Sequence, residues 1–190
     1  MTQQNFSAEG IGTGGDVSSN TVTGGGSAIG TATGGGGGAG TLCFTGDTLF
    51  KLFDGSSIIF ERLFNERDWY IGDEAKSFNK DGREVKGLIV NVFESIAFEY
   101  AKVFFADGSI DKVKPNHRYF TPSGEYVEIG KLRGKEVMTE FNRPLFVVNI
   151  DLVKVPEGIK MYNTTIKDHA NYCANGKRVS NAKNPDILIS

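Results

Sequence analysis

Cysteine is scarce in this chain. Cys43 and Cys173 are the only two among 190 residues, too few to read as a disulfide framework for a domain of this size. Excess charge is missing as well. With 21 Lys and Arg against 23 Asp and Glu, the net charge is −2, so no basic face is implied and neither nucleic acid nor a membrane surface is a favoured partner. Long apolar runs are absent, and no segment approaches the ~18 consecutive apolar residues of a membrane-spanning helix. The opening Met1-Thr2-Gln3-Gln4-Asn5 has neither a positive start nor an apolar stretch, so no signal peptide is expected and synthesis in the cytoplasm is the simplest reading. No cofactor or metal site is expected.

The shortages are uneven along the chain. Residues 1–42 contain no Lys, Arg or Pro, a single aromatic in Phe6, and only Glu9 and Asp16 as charges, yet they hold 14 of the 25 glycines. A Thr-Gly-Gly theme recurs at Thr13, Thr23 and Thr33. Such a segment buries almost no apolar surface, and glycine loses the most backbone entropy on ordering, so by itself it is expected to stay unstructured. Partner surfaces could order it, as in an assembly where an extended arm crosses neighbouring subunits. A phosphate-cradling loop is excluded, because no Gly-Lys-Ser or Gly-Lys-Thr closes the glycine run and no strand precedes it.

After Leu42 the composition becomes that of an ordinary domain, with hairpin punctuation. Asp54-Gly55, Asp81-Gly82 and Asp107-Gly108 each lie between segments rich in Phe, Val, Ile or Leu, and Asp-Gly is a strong two-residue hairpin signal. Strands are expected at 48–53, 57–60, 76–79, 83–93, 100–105, 109–113, 119–121, 126–129, 145–155 and 161–166. Further strands are expected around Tyr172 and over 177–179, with Asn175-Gly176 as a hairpin turn. One helical turn is expected within residues 58–65, where Ile59, Leu63 and Phe60, Phe64 repeat at helical spacing. The expected fold class is mostly β, with many short antiparallel strands.

The two histidines lie in distinctive surroundings. His117 sits in Asn116-His117-Arg118-Tyr119-Phe120, and His169 in a closing stretch from Tyr162-Asn163-Thr164 through Asp168-His169-Ala170-Asn171-Tyr172 to Ser180-Asn181. Cys43 stands first in Cys43-Phe44-Thr45-Gly46-Asp47-Thr48-Leu49, followed by Asp54-Gly55-Ser56. Taken in order, these three stretches resemble the motifs of the Hint family, the shared fold of hedgehog autoprocessing domains and inteins. The resemblance covers residues 43–181. It divides the chain into a glycine-rich arm (1–42), a compact Hint-like domain (43–181) and a C-terminal tail (182–190).

The resemblance implies a chemistry. Cys43 would attack the carbonyl of Leu42 and turn the amide into a thioester, which requires a thiolate, a polarised peptide and an acid for the departing nitrogen. It gives the acid role to His117, and places Asp168 and His169 near a C-terminal bond at which Asn181 would cyclise. Three positions depart from the family pattern. Lys114 stands where a threonine usually helps hold the scissile peptide, Ser180 where a histidine usually precedes the asparagine, and Ala182 where splicing needs Cys, Ser or Thr. Splicing is therefore not expected. The residues also admit blander roles: Cys43 as a buried unreactive thiol, His117 bonded to a neighbouring backbone group, His169 at a strand end, Cys173 in the core.

Two functions are open at this level, and the first is the one expected, with the second as its alternative. In one, the body is a packing module of a large particle, with a phage virion at the tail, baseplate or neck as the preferred setting. There the arm threads into neighbouring structural proteins, in multiple copies, and the Cys43 chemistry is dormant. In the other, the domain processes itself at Leu42–Cys43 and releases or transfers the arm.

Overall fold

The computed structural model describes residues 42–181; residues 1–41 and 182–190, on which the arm and tail were placed, lie outside the described residues. Twelve strands form two six-stranded antiparallel sheets. The first has the order β4-β5-β6-β1-β10-β9, built from β4 (Glu74–Phe78), β5 (Glu84–Phe105), β6 (Ile110–Val113), β1 (Phe44–Thr45), β10 (Pro144–Lys167) and β9 (Glu136–Met138). The second has the order β3-β2-β11-β12-β7-β8, from β3 (Ser57–Ile59), β2 (Leu49–Lys51), β11 (Asn171–Ala174), β12 (Lys177–Ser180), β7 (Arg118–Phe120) and β8 (Tyr126–Glu128). Two short helices, α1 (Phe60–Asn65) and α2 (Arg67–Tyr70), follow β3.

The mostly β expectation holds, and its errors are instructive. Segments read as separate strands at 83–93 and 100–105 are one 22-residue strand, β5, and those at 145–155 and 161–166 are one 24-residue strand, β10. The two pair along almost their whole length, from Val147 opposite Phe105 to Lys167 opposite Leu88. The register slips between Lys154 and Ile159, around Pro156-Glu157-Gly158. Proline cannot donate to a ladder, and a bulge accommodates it while bending the strand rather than ending it. The expected helical turn begins at Phe60, not Ile58, because Ile58 is paired to Phe50 across β2 and β3.

The turn chemistry also differs from expectation. Gly55 donates to the Leu52 carbonyl at 3.2 Å, Gly82 to Asn79 at 3.0 Å and Gly108 to Phe105 at 3.0 Å. Each glycine is thus the fourth residue of its turn, and it alone takes the positive φ while its aspartate does not. These are longer turns closed by a left-handed glycine, not two-residue hairpins. Asn175-Gly176 is the two-residue case, with φ of 46° and 74° and Ala174 paired directly to Lys177.

Between the sheets lies one principal core. Phe44, Phe50, Phe60, Tyr119 and Tyr172 are fully buried in it with aliphatic partners such as Leu63, Ile89, Val113 and Val179. Phe50 and Phe60 meet with ring centroids 5.5 Å apart, and Tyr172 packs against both at 5.3 and 5.9 Å. Aromatic pairs at such distances add about 0.5–1.5 kcal/mol each beyond their buried area. This cluster fixes the ring of Tyr172 beneath the N-terminal junction.

Candidate functional site

The junction is built where β1 enters the first sheet. Phe44 pairs with Tyr162 of β10 on one side and with Val113 of β6 on the other, which holds Leu42 and Cys43 over the middle of the domain. Cys43 is completely buried. Its Sγ lies 3.4 Å from Ser95 Oγ on β5, and its carbonyl accepts from the Lys114 backbone N–H at 2.9 Å. Burial pushes the thiol pKa up, while the Ser95 hydrogen bond and the charge of Lys114 pull the other way. Free cysteine in an apolar setting is normally inert; a neighbouring cation is what lowers a reactive thiol.

The carbonyl of Leu42 has a dedicated partner. Asn163 of β10 donates its side-chain Nδ2 to the Leu42 oxygen. Asn163 is itself fully buried, and its Oδ1 accepts from the Thr164 backbone N–H and from the Tyr172 hydroxyl, both at 2.7 Å. A carboxamide N–H aimed at this oxygen polarises the bond that Cys43 would attack and is placed to stabilise the oxyanion that attack creates. Neither Asn163 nor Ser95 was singled out from the sequence. Asn163 lay in plain view within the closing motif, but a single asparagine in a strand carries no signal until the sheet sets it opposite the junction.

His117 is also buried completely. It follows β6 through a turn in which its backbone N–H reaches the Lys114 carbonyl at 2.9 Å, and its ring packs on Phe44 with centroids 4.4 Å apart. Neither ring nitrogen meets a hydrogen-bond partner among the described residues. The backbone of Ser180 is the neighbouring group that comes nearest to the bland role of a side-chain bond to backbone. Burial drives its pKa down to about 3, opposed only by the nearby Ser180 backbone. The resting ring is therefore neutral, so the acid role implied by the resemblance requires that it first take up a proton.

A stability prediction follows from that imidazole. Its folded pKa lies below the ordinary value near 6.5, so below pH 6.5 the unfolded chain binds a proton that the folded chain refuses. Stability is lost as pH falls from 6.5 towards 3, and His117 adds no pH dependence above that window. Denaturant titrations of the native protein and of His117→Leu at several pH values should show a steeper acid loss in the former, by up to about 1.4 kcal/mol per pH unit. Parallel curves would contradict the buried neutral state.

The C-terminal residues divide into two places. Asn181 is buried, its Nδ2 donating to the Ile166 carbonyl and its backbone N–H to the Ala170 carbonyl, both at 3.0 Å. The Oδ1 of Asn181 and the Oγ of Ser180 are buried without a partner among the described residues. Asp168 and His169 occupy the turn between β10 and β11, where Asp168 has a φ of 76° and is exposed. Both line a groove of about 590 Å³ with Phe78, Phe120, Tyr126 and Arg178. The backbone thus joins Asn181 to this turn, whereas neither Asp168 nor His169 makes a side-chain hydrogen bond to Asn181. Cys173 is buried in β11, and burial pushes its thiol up to about 12. Among the described residues no group of three or more His, Cys, Asp or Glu side chains is placed to hold a metal ion.

No protein-family model matches the sequence, and no curated protein matches it. Solved structures do. A bacterial intein-like domain from Clostridium thermocellum superposes with a TM-score of 0.65 at 16% identity, covering 75% of this chain and 99% of that one. A DnaB intein from Synechocystis sp. PCC 6803 gives 0.66 at 17%, covering 75% and 100%. The PabCDC21-1 intein gives 0.61 at 19%, covering 74% and 98%. At such low identity the likeness is one of architecture, and that architecture is the Hint fold of inteins and intein-like domains.

Proposed function

We propose that this domain processes itself at its N-terminal junction, by an N-to-S acyl shift at Leu42–Cys43, and that it does not splice. The observation that carries the reading is the grip on the scissile carbonyl: a buried asparagine, Asn163, spends its amide N–H on the Leu42 oxygen beside a buried cysteine. A buried amide N–H must find an acceptor, and the one it takes here is the carbonyl that Cys43 would attack.

The step balances as follows. The neutral His117 imidazole takes the thiol proton as Cys43 Sγ attacks the Leu42 carbonyl carbon. The carbon–sulfur bond forms, the oxyanion rests on Asn163 Nδ2, and the carbon–nitrogen bond breaks as the imidazolium returns the proton to the departing amino group of Cys43. Lys114 stands by Cys43 as the cation that favours the thiolate, in place of the threonine usual at that position. The thioester then passes its acyl group to water, a thiol or an amine. At the other end, Ser180 offers no proton donor comparable to histidine, and losing one positioned donor costs a factor of ~100 to 10,000 in rate. Asn181 is accordingly read as a structural cap on the turn at Ala170.

Intact mass spectrometry tests the reading. Incubation of the full chain with hydroxylamine should convert it to a hydroxamate ending at Leu42 and a fragment beginning at Cys43. A full-length mass unchanged by prolonged hydroxylamine or thiol would overturn it.

That second outcome is what the assembly reading expects, and one observation favours it. On the long β5–β10 ribbon Ile96, Phe98, Val148 and Leu152 are exposed by 53, 63, 53 and 61%. Scattered apolar residues on a surface are ordinary, but a run along one ribbon suits contact with a neighbouring protein. In this reading the Hint body is a packing module of a particle such as a phage virion, and the raised thiol of Cys43 is dormant.

A further inference from the structure

We propose that Tyr172 is a positioning residue for the Leu42–Cys43 bond: its hydroxyl anchors and polarises the Asn163 carboxamide, whose orientation the Thr164 N–H sets, and so strengthens the amide N–H aimed at the scissile carbonyl. This rests on the self-processing reading for its consequence, though not for its geometry.

The oxygen and nitrogen of a carboxamide have nearly the same shape, so orientation is decided by the partners. The Thr164 backbone N–H can only donate, and it lies 2.7 Å from Asn163 Oδ1; the atom facing it must therefore be the oxygen. Tyr172 Oη is also 2.7 Å from that oxygen, so its hydroxyl must be the donor. Two donors on Oδ1 leave Nδ2 facing Leu42, whose carbonyl can only accept. A flipped amide would place N–H against N–H at Thr164 and lone pair against lone pair at Leu42.

The Tyr172 hydroxyl could donate or accept, and it donates because Thr164 has already set the oxygen there; what it adds is an anchor and polarisation. Hydrogen bonds arranged head to tail polarise one another, so drawing electron density onto Oδ1 makes the Nδ2 protons better donors to an oxyanion. Nothing here titrates near neutrality. Burial, reinforced by the nearby Cys43, raises the Tyr172 pKa well above that of an ordinary tyrosine, so the hydroxyl keeps its proton even when Cys43 becomes a thiolate. The ring has a separate structural task against Phe50 and Phe60. Tyr172→Phe keeps that packing and removes the donor alone.

The test is a double-mutant cycle on the rate of hydroxylamine cleavage. Asn163→Ala should slow cleavage ~100- to 1000-fold, as expected for loss of an oxyanion donor, and Tyr172→Phe about 5- to 10-fold, as for one hydrogen bond. In the Asn163→Ala background, Tyr172→Phe should change the rate by less than about twofold, because its route of action is already gone. An equal loss in both backgrounds would mean a merely structural role and would overturn the proposal. A readout independent of turnover is the infrared stretch of a ¹³C-labelled Leu42 carbonyl in the Cys43→Ala protein. Asn163→Ala should raise the frequency and Tyr172→Phe should raise it by part of that shift. A frequency unmoved by Tyr172→Phe would sink the proposal whatever the chemistry does. A shifted frequency in a chain that hydroxylamine never cleaves would instead uphold the positioning and remove the processing reading.

Discussion

Cys43→Ala is expected to abolish every fragment that hydroxylamine or thiol produces at Leu42, leaving only the full-length mass. The alanine side chain offers no nucleophile, while the site otherwise changes little: Cys43 packs with Ala97 and Met161 in a small buried cluster, and removing one sulfur from it leaves the β1 pairing untouched. The grip of Asn163 on the Leu42 carbonyl should also survive, because polarisation without an attacking atom does not break a peptide bond. The variant therefore separates positioning from attack. Ser95 is the one neighbour that could confuse the result, since its Oγ lies 3.4 Å from the Cys43 sulfur. Residual cleavage in Cys43→Ala that disappears in Cys43→Ala/Ser95→Ala would show that a serine hydroxyl, not the cysteine thiol, is the reacting group.

Asp111→Ala should cost about 3–5 kcal/mol of stability, because it strands a buried cation. Asp111 and Lys177 form an ion pair at 3.1 Å with side chains 0% and 2% exposed. The same carboxylate accepts from the Tyr119 hydroxyl and from Asn175 Nδ2, each at 2.8 Å, and Lys177 also donates to Ser109 Oγ at 3.0 Å. The network ties β6, β7 and β12 to the Asn175-Gly176 turn. Small domains are stable by only about 5–15 kcal/mol, so such a loss should move the denaturant midpoint far. Asp111→Leu combined with Lys177→Met should recover much of it, since replacing both charges removes the desolvation cost as well as the attraction. A loss below about 1 kcal/mol for Asp111→Ala would mean that the ammonium finds water, and that the burial of this pair is less complete than the fold implies.

The fold class was legible because β structure leaves a local record. Alternating apolar residues and Asp-Gly or Asn-Gly punctuation are visible over a few positions, and they located the strand regions at β2, β4, β6, β7, β8 and β12. The two longest strands were expected in pieces because Pro156, Gly158 and the carboxylates at Glu94 and Glu99 interrupt the local pattern. Pairing between β5 and β10 carries the chain through them, and a window along one strand cannot see its partner. Likewise β1 and β9 are two and three residues long, too short to leave a pattern.

By itself the sequence determined that a mostly β body begins at a cysteine preceded by a glycine-rich segment, and that its two histidines sit in stretches resembling Hint-family motifs. It also showed where that machinery departs from its pattern, at Lys114, Ser180 and Ala182. Only the tertiary structure decided what surrounds the junction. Strand pairing brought Asn163, 121 positions away, onto the Leu42 carbonyl, and packing set Tyr172 behind it. Burial stripped the proton from His117, whereas Asp168 and His169 went to a groove on their own turn. Each of these depends on which atoms lie across a sheet or within an apolar layer, and neither distance nor dielectric is written in the local order of residues.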